Sequence, residues 1–166
     1  LGLAWLRRQR NEIDDGLHDR STGLFTRAYA DETAARLVAR DDRAGRPSVV
    51  LVLLSLSEAD TVTRRYGQDA LAALLTRVAT TLGSQCRASD VPFRHSVDSL
   101  GVYLHCDSIE QADAFGRRIR MLLASQQLEW RGDVLKPTVA MGVAAVEVGV
   151  ALPQLYRRAE GALAEA

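Results

Sequence analysis

A single run of nine residues, SVVLVLLSL at positions 48–56, constrains the fold more than any other part of the sequence. The run is almost continuously apolar and rich in β-branched side chains, with no alternation between apolar and polar positions. A strand that faces solvent on one side alternates, whereas a strand that is covered on both sides does not. The sequence therefore predicts a central strand buried on both of its faces.

Helical and strand patterns surround this run in an order typical of a mixed sheet with helices on its faces. Gly83 is the predicted end of one helix, and Ser108 is the predicted cap of the next one. Neither a repeat nor a linker interrupts the pattern, so 166 residues predict one domain. We predict helices at 25–43, within 57–67, and at 69–84, 108–124 and 152–165, and strands at 91–95, 100–105, 127–131 and 137–146.

Charge and cysteine content exclude several classes of function. Lysine plus arginine and aspartate plus glutamate both number 21, so the net charge is zero. Binding to a nucleic-acid polymer needs a broad basic surface, and we expect none here. Cys86 and Cys106 have no CxxC or cysteine–histidine spacing, so we expect buried free thiols and no bound metal.

The first 17 residues form a predicted helix of their own. Leu3, Leu6, Ile13 and Leu17 follow a short heptad spacing. Two interpretations stay open: a coiled-coil stalk that joins a dimer to an upstream signalling domain, or a helix packed on its own domain. The opening LGLAWLRRQR also has the apolar-then-basic order found at the cytoplasmic end of a membrane helix, although it is too short to span a bilayer. We expect a cytoplasmic location, either free or as the cytoplasmic part of an inner-membrane protein.

Five motifs occur in order along the chain: DRSTGLFTR (19–27), LVLLSLSEADTVTRRYGQ (51–68), RHSVDSLGVYL (94–104), PTVAMGVA (137–144) and LPQLYRRAEGALAEA (152–166). In this order they resemble the GGDEF domain of diguanylate cyclases. Their family counterparts are DxLTGLxNR, a buried strand with DxDxFKxxNDxxGH, the R-x-GGDEF hairpin, a VTxSxGxA strand and the closing helix. The resemblance implies an α+β domain over 18–166, with a mostly antiparallel nucleotide-cyclase-like sheet flanked by helices.

The same resemblance shows where the sequence departs from the family pattern. The family's metal-binding aspartate at the end of the central strand corresponds to Ser55, and a hydroxyl is a poor substitute for a carboxylate on Mg²⁺. The asparagine and aspartate that read the guanine of GTP correspond to Thr63 and Ala72. These departures predict a degenerate site.

The signature hairpin departs from the pattern as well, because Ser96, Val97, Asp98, Ser99 and Leu100 replace GGDEF. The two glycines of the family allow the backbone to approach a triphosphate, and a β-branched Val97 disfavours that conformation. Asp98 keeps one carboxylate, for which a solvated turn aspartate is the favoured interpretation. Together these changes predict a catalytically inactive domain, not an enzyme, with no metal and no cofactor.

Arg87 and Asp90 form an RxxD motif at the spacing that the family uses for its inhibitory product site. Residues i and i+3 of a turn can lie on the same side. The arginine fork matches the O6/N7 edge of guanine or a phosphate, and the aspartate can accept from guanine N–H groups. The family resemblance adds Arg118, with Arg117 and Arg120 beside it. The alternative interpretation is a surface ion pair between Arg87 and Asp90, with solvated arginines on the helix.

The leading hypothesis is a receptor for cyclic di-GMP that uses Arg87, Asp90 and Arg118. We expect a homodimer, in which a ligand dimer could bridge two copies and regulate an attached or partner protein. A second hypothesis is a nucleotide-free dimerisation or protein-interaction module. A third is residual cyclase activity with Asp98 on a metal, which conversion of GTP with Mg²⁺ or Mn²⁺ would reveal.

Overall fold

The computed structural model describes residues 16–43, 49–146 and 152–165, and the predicted helix at 1–17 falls almost wholly outside them. None of the described helices is long and apolar enough to cross a membrane. The helices are α1 (Arg27–Arg43), α2 (Ala59–Tyr66), α3 (Gln68–Gln85), α4 (Ile109–Ala124) and α5 (Leu152–Glu165). The strands are β1 (Val49–Leu56), β2 (Val91–Arg94), β3 (Ser99–His105), β4 (Leu128–Trp130), β5 (Asp133–Leu135) and β6 (Val139–Ala145).

Four of these strands form the main sheet, in the order β2-β3-β1-β6. Strand β1 pairs antiparallel with β3, from Val49 opposite His105 to Ser55 opposite Ser99. It also pairs antiparallel with β6, and β2 pairs antiparallel with β3. The predicted α+β fold with a mostly antiparallel sheet flanked by helices is confirmed, with the apolar run at its centre.

Alternate side chains of β1 point into two separate cores, which explains why the run shows no polar alternation. Val50, Val52 and Leu54 pack in a first core with buried residues of α3 and α4. Val49, Leu51 and Leu53 pack in a second core with buried residues of α1 and α5. Each face of the strand is therefore covered by helices, as the sequence predicts.

Some local elements differ from the prediction. Strand β5 is not anticipated by the sequence pattern, and β4 and β5 form a separate two-stranded sheet instead of joining the main one. A turn with Arg131 and Gly132 at positive φ joins them, and sequence patterns identify such three-residue strands poorly. Helix α3 continues past Gly83 to Gln85. Ser108 does cap α4, where its hydroxyl accepts a hydrogen bond from the backbone of Gln111.

A buried hydrogen-bond cluster ties α1, β3 and α5 together in the second core. The hydroxyl of Tyr103 donates to Asp31 Oδ1 at 2.9 Å and lies 3.0 Å from the hydroxyl of Tyr156, which also donates to Asp31. The guanidinium of Arg27 lies 4.2 Å above the ring of Tyr156. Burial raises the pKa of Tyr103, and its contacts with Tyr156 and Asp31 raise it further. Burial and the hydrogen bond to Asp31 also raise the pKa of Tyr156, although the Tyr103 hydroxyl and the charge of Arg27 act in the opposite direction. Both tyrosines are therefore neutral donors at physiological pH.

The loop before α1 is fastened to the hairpin of β2 and β3. Asp19 Oδ2 accepts hydrogen bonds from the backbone and hydroxyl of Thr22 and from the hydroxyl of Ser21. It also lies 3.3 Å from the guanidinium of Arg94, which donates to the carbonyl oxygen of Ser96. Burial alone would raise the pKa of Asp19, but the hydrogen bonds and the charge of Arg94 together hold it below its usual value.

Gly101 lies under an aromatic ring at the centre of the sheet. It pairs with Phe93 on β2 and with Leu53 on β1. A Cβ atom at this position would lie 2.3 Å from Cζ of Phe93, whose ring is fully buried and stacked on Tyr103. Only glycine leaves room for this ring.

Replacing Gly101 with alanine should lower the free energy of unfolding by about 1–3 kcal/mol, because Phe93 has no free space into which to move. Urea denaturation would measure the change. Gly161→Ala on α5 is the matched control, because nothing lies within 4 Å of the added methyl group. The control should be neutral or stabilising by up to about 1 kcal/mol. Equal effects of the two substitutions would contradict this packing argument.

Replacing Asp19 with asparagine should lower the free energy of unfolding at pH 7 by about 1–2 kcal/mol, because hydrogen bonds to a charged acceptor are lost. A lowered folded-state pKa means that this stabilisation is present above the pKa of the unfolded chain. It is lost as the pH falls through the folded value, so the difference between variant and wild type should shrink below about pH 4. Thermal unfolding between pH 3 and pH 7 would test this, with Asp113→Asn on the exposed face of α4 as control. A difference that is constant with pH would contradict it.

Candidate functional site

The RxxD motif forms a closed turn between α3 and β2. The backbone of Asp90 donates to the carbonyl oxygen of Arg87 at 3.0 Å, and the backbone of Arg87 donates to Asp90 Oδ2 at 2.8 Å. Asp90 Oδ1 accepts from the backbone of His105 at 3.1 Å. Asp90 is 8% exposed, and its carboxylate fixes both the turn and the end of β3.

The side chains of Arg87 and Asp90 do not form an ion pair among the residues that the structure describes. Asp90 is instead held by backbone N–H groups, and Arg87 is exposed. A guanidinium with no carboxylate partner is free to bind an anion or a guanine edge.

Arg87 lines a cavity of about 410 Å³ between the RxxD turn and α4. Arg118 lines the same cavity from the helix, where its guanidinium lies 5.6 Å from the ring centre of Phe115. Arg117 and Arg120 do not line it. The cavity is bounded by Gln85, Arg87, Asp90, Leu104, His105, Cys106, Asp107, Gln111, Ala114, Phe115 and Arg118.

The three predicted ligand-binding residues are therefore neighbours in space, although Arg87 and Arg118 are far apart in sequence. The sequence prediction did not include Asp107 and Gln111, which lie at the start of α4. The Ser108-x-x-Gln111 spacing is a capping pattern that marks the start of α4, but it does not indicate that Asp107 or Gln111 lines a cavity.

Both cysteines lie near this site as free thiols. Burial, with a smaller contribution from the charge of Asp90, raises the pKa of Cys86 to about 12. Burial also raises the pKa of Cys106, which lines the cavity. Both thiols are therefore protonated at neutral pH and are poor nucleophiles.

The signature tip lies at the opposite end of β3. The backbones of His95 and Ser96 donate to the carbonyl oxygen of Ser99, each at 3.1 Å. The hydroxyl of Ser96 donates to Asp98 Oδ1 at 2.8 Å and also contacts the hydroxyl of Ser99. Val97 is 58% exposed. The tip is closed by its own side chains.

A second cavity, of about 520 Å³, lies between this tip and helices α2 and α3. Thr63, Val97 and Asp98 line it, as three of the residues predicted for the former active site. The remaining lining residues are Ala59, Asp60, Arg64, Gln68 and Leu71. Sequence analysis did not include Asp60 and Arg64, whose i,i+4 spacing on α2 places both on one face.

The other residues of the predicted former site do not line this cavity. Ser55 pairs with Ser99 at the edge of the tip, and Leu100 is fully buried in the first core. Ala72 is exposed on α3, where its carbonyl oxygen accepts from Thr76. The role predicted for this whole set stays a prediction.

The family resemblance implies a magnesium ion at this end of the sheet. Mg²⁺ prefers carboxylate oxygens in octahedral geometry. Asp98 and Asp60 are the carboxylates of the cavity, and Asp98 already accepts from Ser96. No group of three histidine, cysteine or acidic side chains that could hold a metal occurs in the described residues. These side chains do not by themselves complete a magnesium site.

A family model and a curated relative both link this chain to diguanylate cyclases. Residues 16–166 match the family described as Diguanylate cyclase, GGDEF domain. The chain is 28% identical over 147 residues to Diguanylate cyclase DgcP of Pseudomonas aeruginosa, covering 89% of this chain and 22% of that protein. The chain thus spans less than a quarter of the length of this relative.

Solved structures share the fold. The diguanylate cyclase SiaD of Pseudomonas aeruginosa, in complex with its activator SiaC, has a TM-score of 0.84 at 23% identity over 98% of this chain and 63% of that chain. The coiled coil and GGDEF domain of DgcB from Caulobacter crescentus, in complex with c-di-GMP, has a TM-score of 0.83 at 19% identity over 98% of this chain and 88% of that chain.

One prediction is overturned by these comparisons. The departures at Ser55, Thr63 and Ala72 led to the expectation that the chain is not an enzyme. The matched family is one of diguanylate cyclases, and the relative DgcP carries that name, so this expectation is wrong. The expectation rested on a few positions that differ from the family motifs, whereas the domain as a whole matches the family. The family match covers nearly the full length of the sequence, and the chain belongs to the GGDEF domain family of diguanylate cyclases.

Proposed function

We propose that this domain binds cyclic di-GMP in the cavity between the RxxD turn and α4, and that binding regulates the protein to which it belongs. One observation carries the proposal: Arg87 and Arg118 come from separate elements and line the same cavity beside a fixed Asp90. The structure of DgcB in complex with c-di-GMP supports the choice of ligand.

The chemistry of the cavity suits two guanines joined by two phosphates. Arg87 and Arg118 carry planar guanidinium groups that match either a phosphate or the O6/N7 edge of guanine. The face of Phe115 beneath Arg118 restricts where that guanidinium lies, which lowers the entropy lost when a ligand is bound. Two cations also offset the two phosphate charges.

In this proposal, Asp90 mainly holds the RxxD turn in place. Two of its acceptor sites are used by the backbones of Arg87 and His105, and a carboxylate has about four such sites. The remaining sites are available to guanine N–H groups at the cavity wall.

The two cavities share no lining residue, so a substitution in the second cavity removes no side chain that lines the proposed ligand site. The regulatory output, the homodimer, the upstream domain and the cytoplasmic location stay predictions. The protein regulated is either attached to the domain or a separate partner.

Replacing Arg87 or Arg118 with alanine should weaken cyclic di-GMP binding about 10- to 100-fold, because each loses charge-assisted hydrogen bonds. Isothermal titration calorimetry of the folded variants would measure this. Arg117→Ala is the matched control, since it removes the same charge from an exposed site on α4 outside the cavity. Absence of binding by the wild type, or equal weakening by the control, would contradict the proposal.

The second candidate function is a dimerisation or protein-interaction module, favoured by an apolar patch on α4. Met121 is 70% exposed and Leu122 is 39% exposed, both within about one turn of Arg118. If the patch alone drives association, the chain should dimerise without nucleotide.

Sedimentation with and without cyclic di-GMP would separate the two functions. Under the ligand proposal, we expect the dimer fraction to rise on addition of cyclic di-GMP, and Met121→Gln to change it little in the absence of ligand. Val134→Gln is the matched control, because Val134 is 58% exposed on the separate small sheet. A ligand-independent dimer that Met121→Gln dissociates and Val134→Gln does not would favour the interaction module instead.

A further inference from the structure

The α4 wall of the first cavity carries polar groups at two levels. Gln111 and Arg118 both line it, and they lie seven residues apart on one helix, or two turns. At 1.5 Å per residue, they are separated by about 10 Å along the axis. The end of the wall at Arg118 is positively charged. At the other end, Asp107 lies beside Gln111 and contributes a negative charge.

One hydrogen bond orients the side-chain amide of Gln111, whose Oε1 accepts from the backbone of Asp107 at 3.0 Å. The backbone of Gln111 donates to the hydroxyl of Ser108 at 3.3 Å, which holds the residue in the first turn of α4. Because only the oxygen of an amide can accept a hydrogen bond, Oε1 is the atom that faces Asp107, and Nε2 is the atom that makes no hydrogen bond there. Its two N–H groups have no hydrogen-bond partner in the described part of the chain.

The carboxylate of Asp107 is the second unused group. Asp107 is exposed and lines the cavity, and no hydrogen bond or ion pair engages its side chain in the ranges that the structure describes. The hydrogen bond from its backbone to Gln111 holds the two residues side by side. The pair thus presents a double acceptor next to a double donor.

We propose that Asp107 and Gln111 read the Watson–Crick edge of a guanine in this cavity, and so select guanine over adenine. This inference rests on the proposed binding of cyclic di-GMP. The carboxylate would accept from guanine N1–H and N2–H, and the amide of Gln111 would donate to O6. Adenine presents a donor at N6 and an acceptor at N1, which places donor against donor and acceptor against acceptor.

The charges of Asp107 and Arg118 set the orientation of the ligand along the cavity wall. A phosphate beside Asp107 would be repelled, so the phosphates belong at the level of Arg118 and a base at the level of Asp107. A selectivity determinant therefore lies at the start of α4, in addition to the acceptor sites of Asp90 in the RxxD turn.

Calorimetric titration of cyclic di-GMP and of its adenine counterpart, cyclic di-AMP, into wild type and three variants would test this. Gln111→Glu keeps an oxygen that can accept from the backbone of Asp107, but it replaces the donor with an acceptor and adds a negative charge. Asp107→Asn replaces one acceptor with a donor and removes a negative charge, so weakening by both variants cannot be an effect of charge alone. Glu110→Gln is the matched control, because it removes a charge from the exposed first turn of α4 outside the cavity. Melting temperatures of the variants should stay close to that of the wild type.

We expect Gln111→Glu and Asp107→Asn each to weaken cyclic di-GMP binding about ten-fold or more, and to narrow the preference for guanine. Glu110→Gln should bind like the wild type. If the wild type binds and all three variants bind alike, the guanine-reading pair is overturned while the proposed function stands. If the wild type does not bind cyclic di-GMP, both proposals are overturned.

Discussion

The burial of β1 on both faces is the constraint on which the remaining structure depends. Its backbone pairs with β3 on one side and β6 on the other, while alternate side chains enter two separate helical layers. A one-residue shift in register would exchange the contents of the two cores. This double anchoring also fixes β3, whose two ends lie at the two cavities.

Asp90 has the corresponding role at the proposed ligand site. One buried carboxylate joins the turn that carries Arg87 to the last residue of β3, and therefore to the sheet. The arginines themselves are exposed, but the backbone beneath Arg87 is fixed. A site built in this way keeps its geometry while its charged groups remain free to meet a ligand.

The sequence predicts the main sheet and most helices well, because the pattern of β1 and the caps of the helices are local signals. Strand β5 was missed because its three residues carry no detectable period and exist as a strand only by pairing with β4. At the site, Arg87 and Asp90 were found by spacing, but the hydrogen bonds of Asp90 to two backbones depend on tertiary contacts. Asp107 and Gln111 were missed because their relation to Arg118 appears only when α4 packs beside the RxxD turn. The expectation of an inactive chain was wrong for a different reason. It rested on single positions that differ from the family motifs, and it did not consider the match of the whole domain.

The two cavities have no lining residue in common, although β3 reaches from one to the other. A substitution at the tip of the hairpin therefore replaces no side chain that lines the RxxD cavity, and a substitution in the RxxD cavity replaces none that lines the other. In evolutionary terms, the domain offers two sites on which selection can act separately. A lineage could replace the side chains that line one cavity without replacing any that line the other.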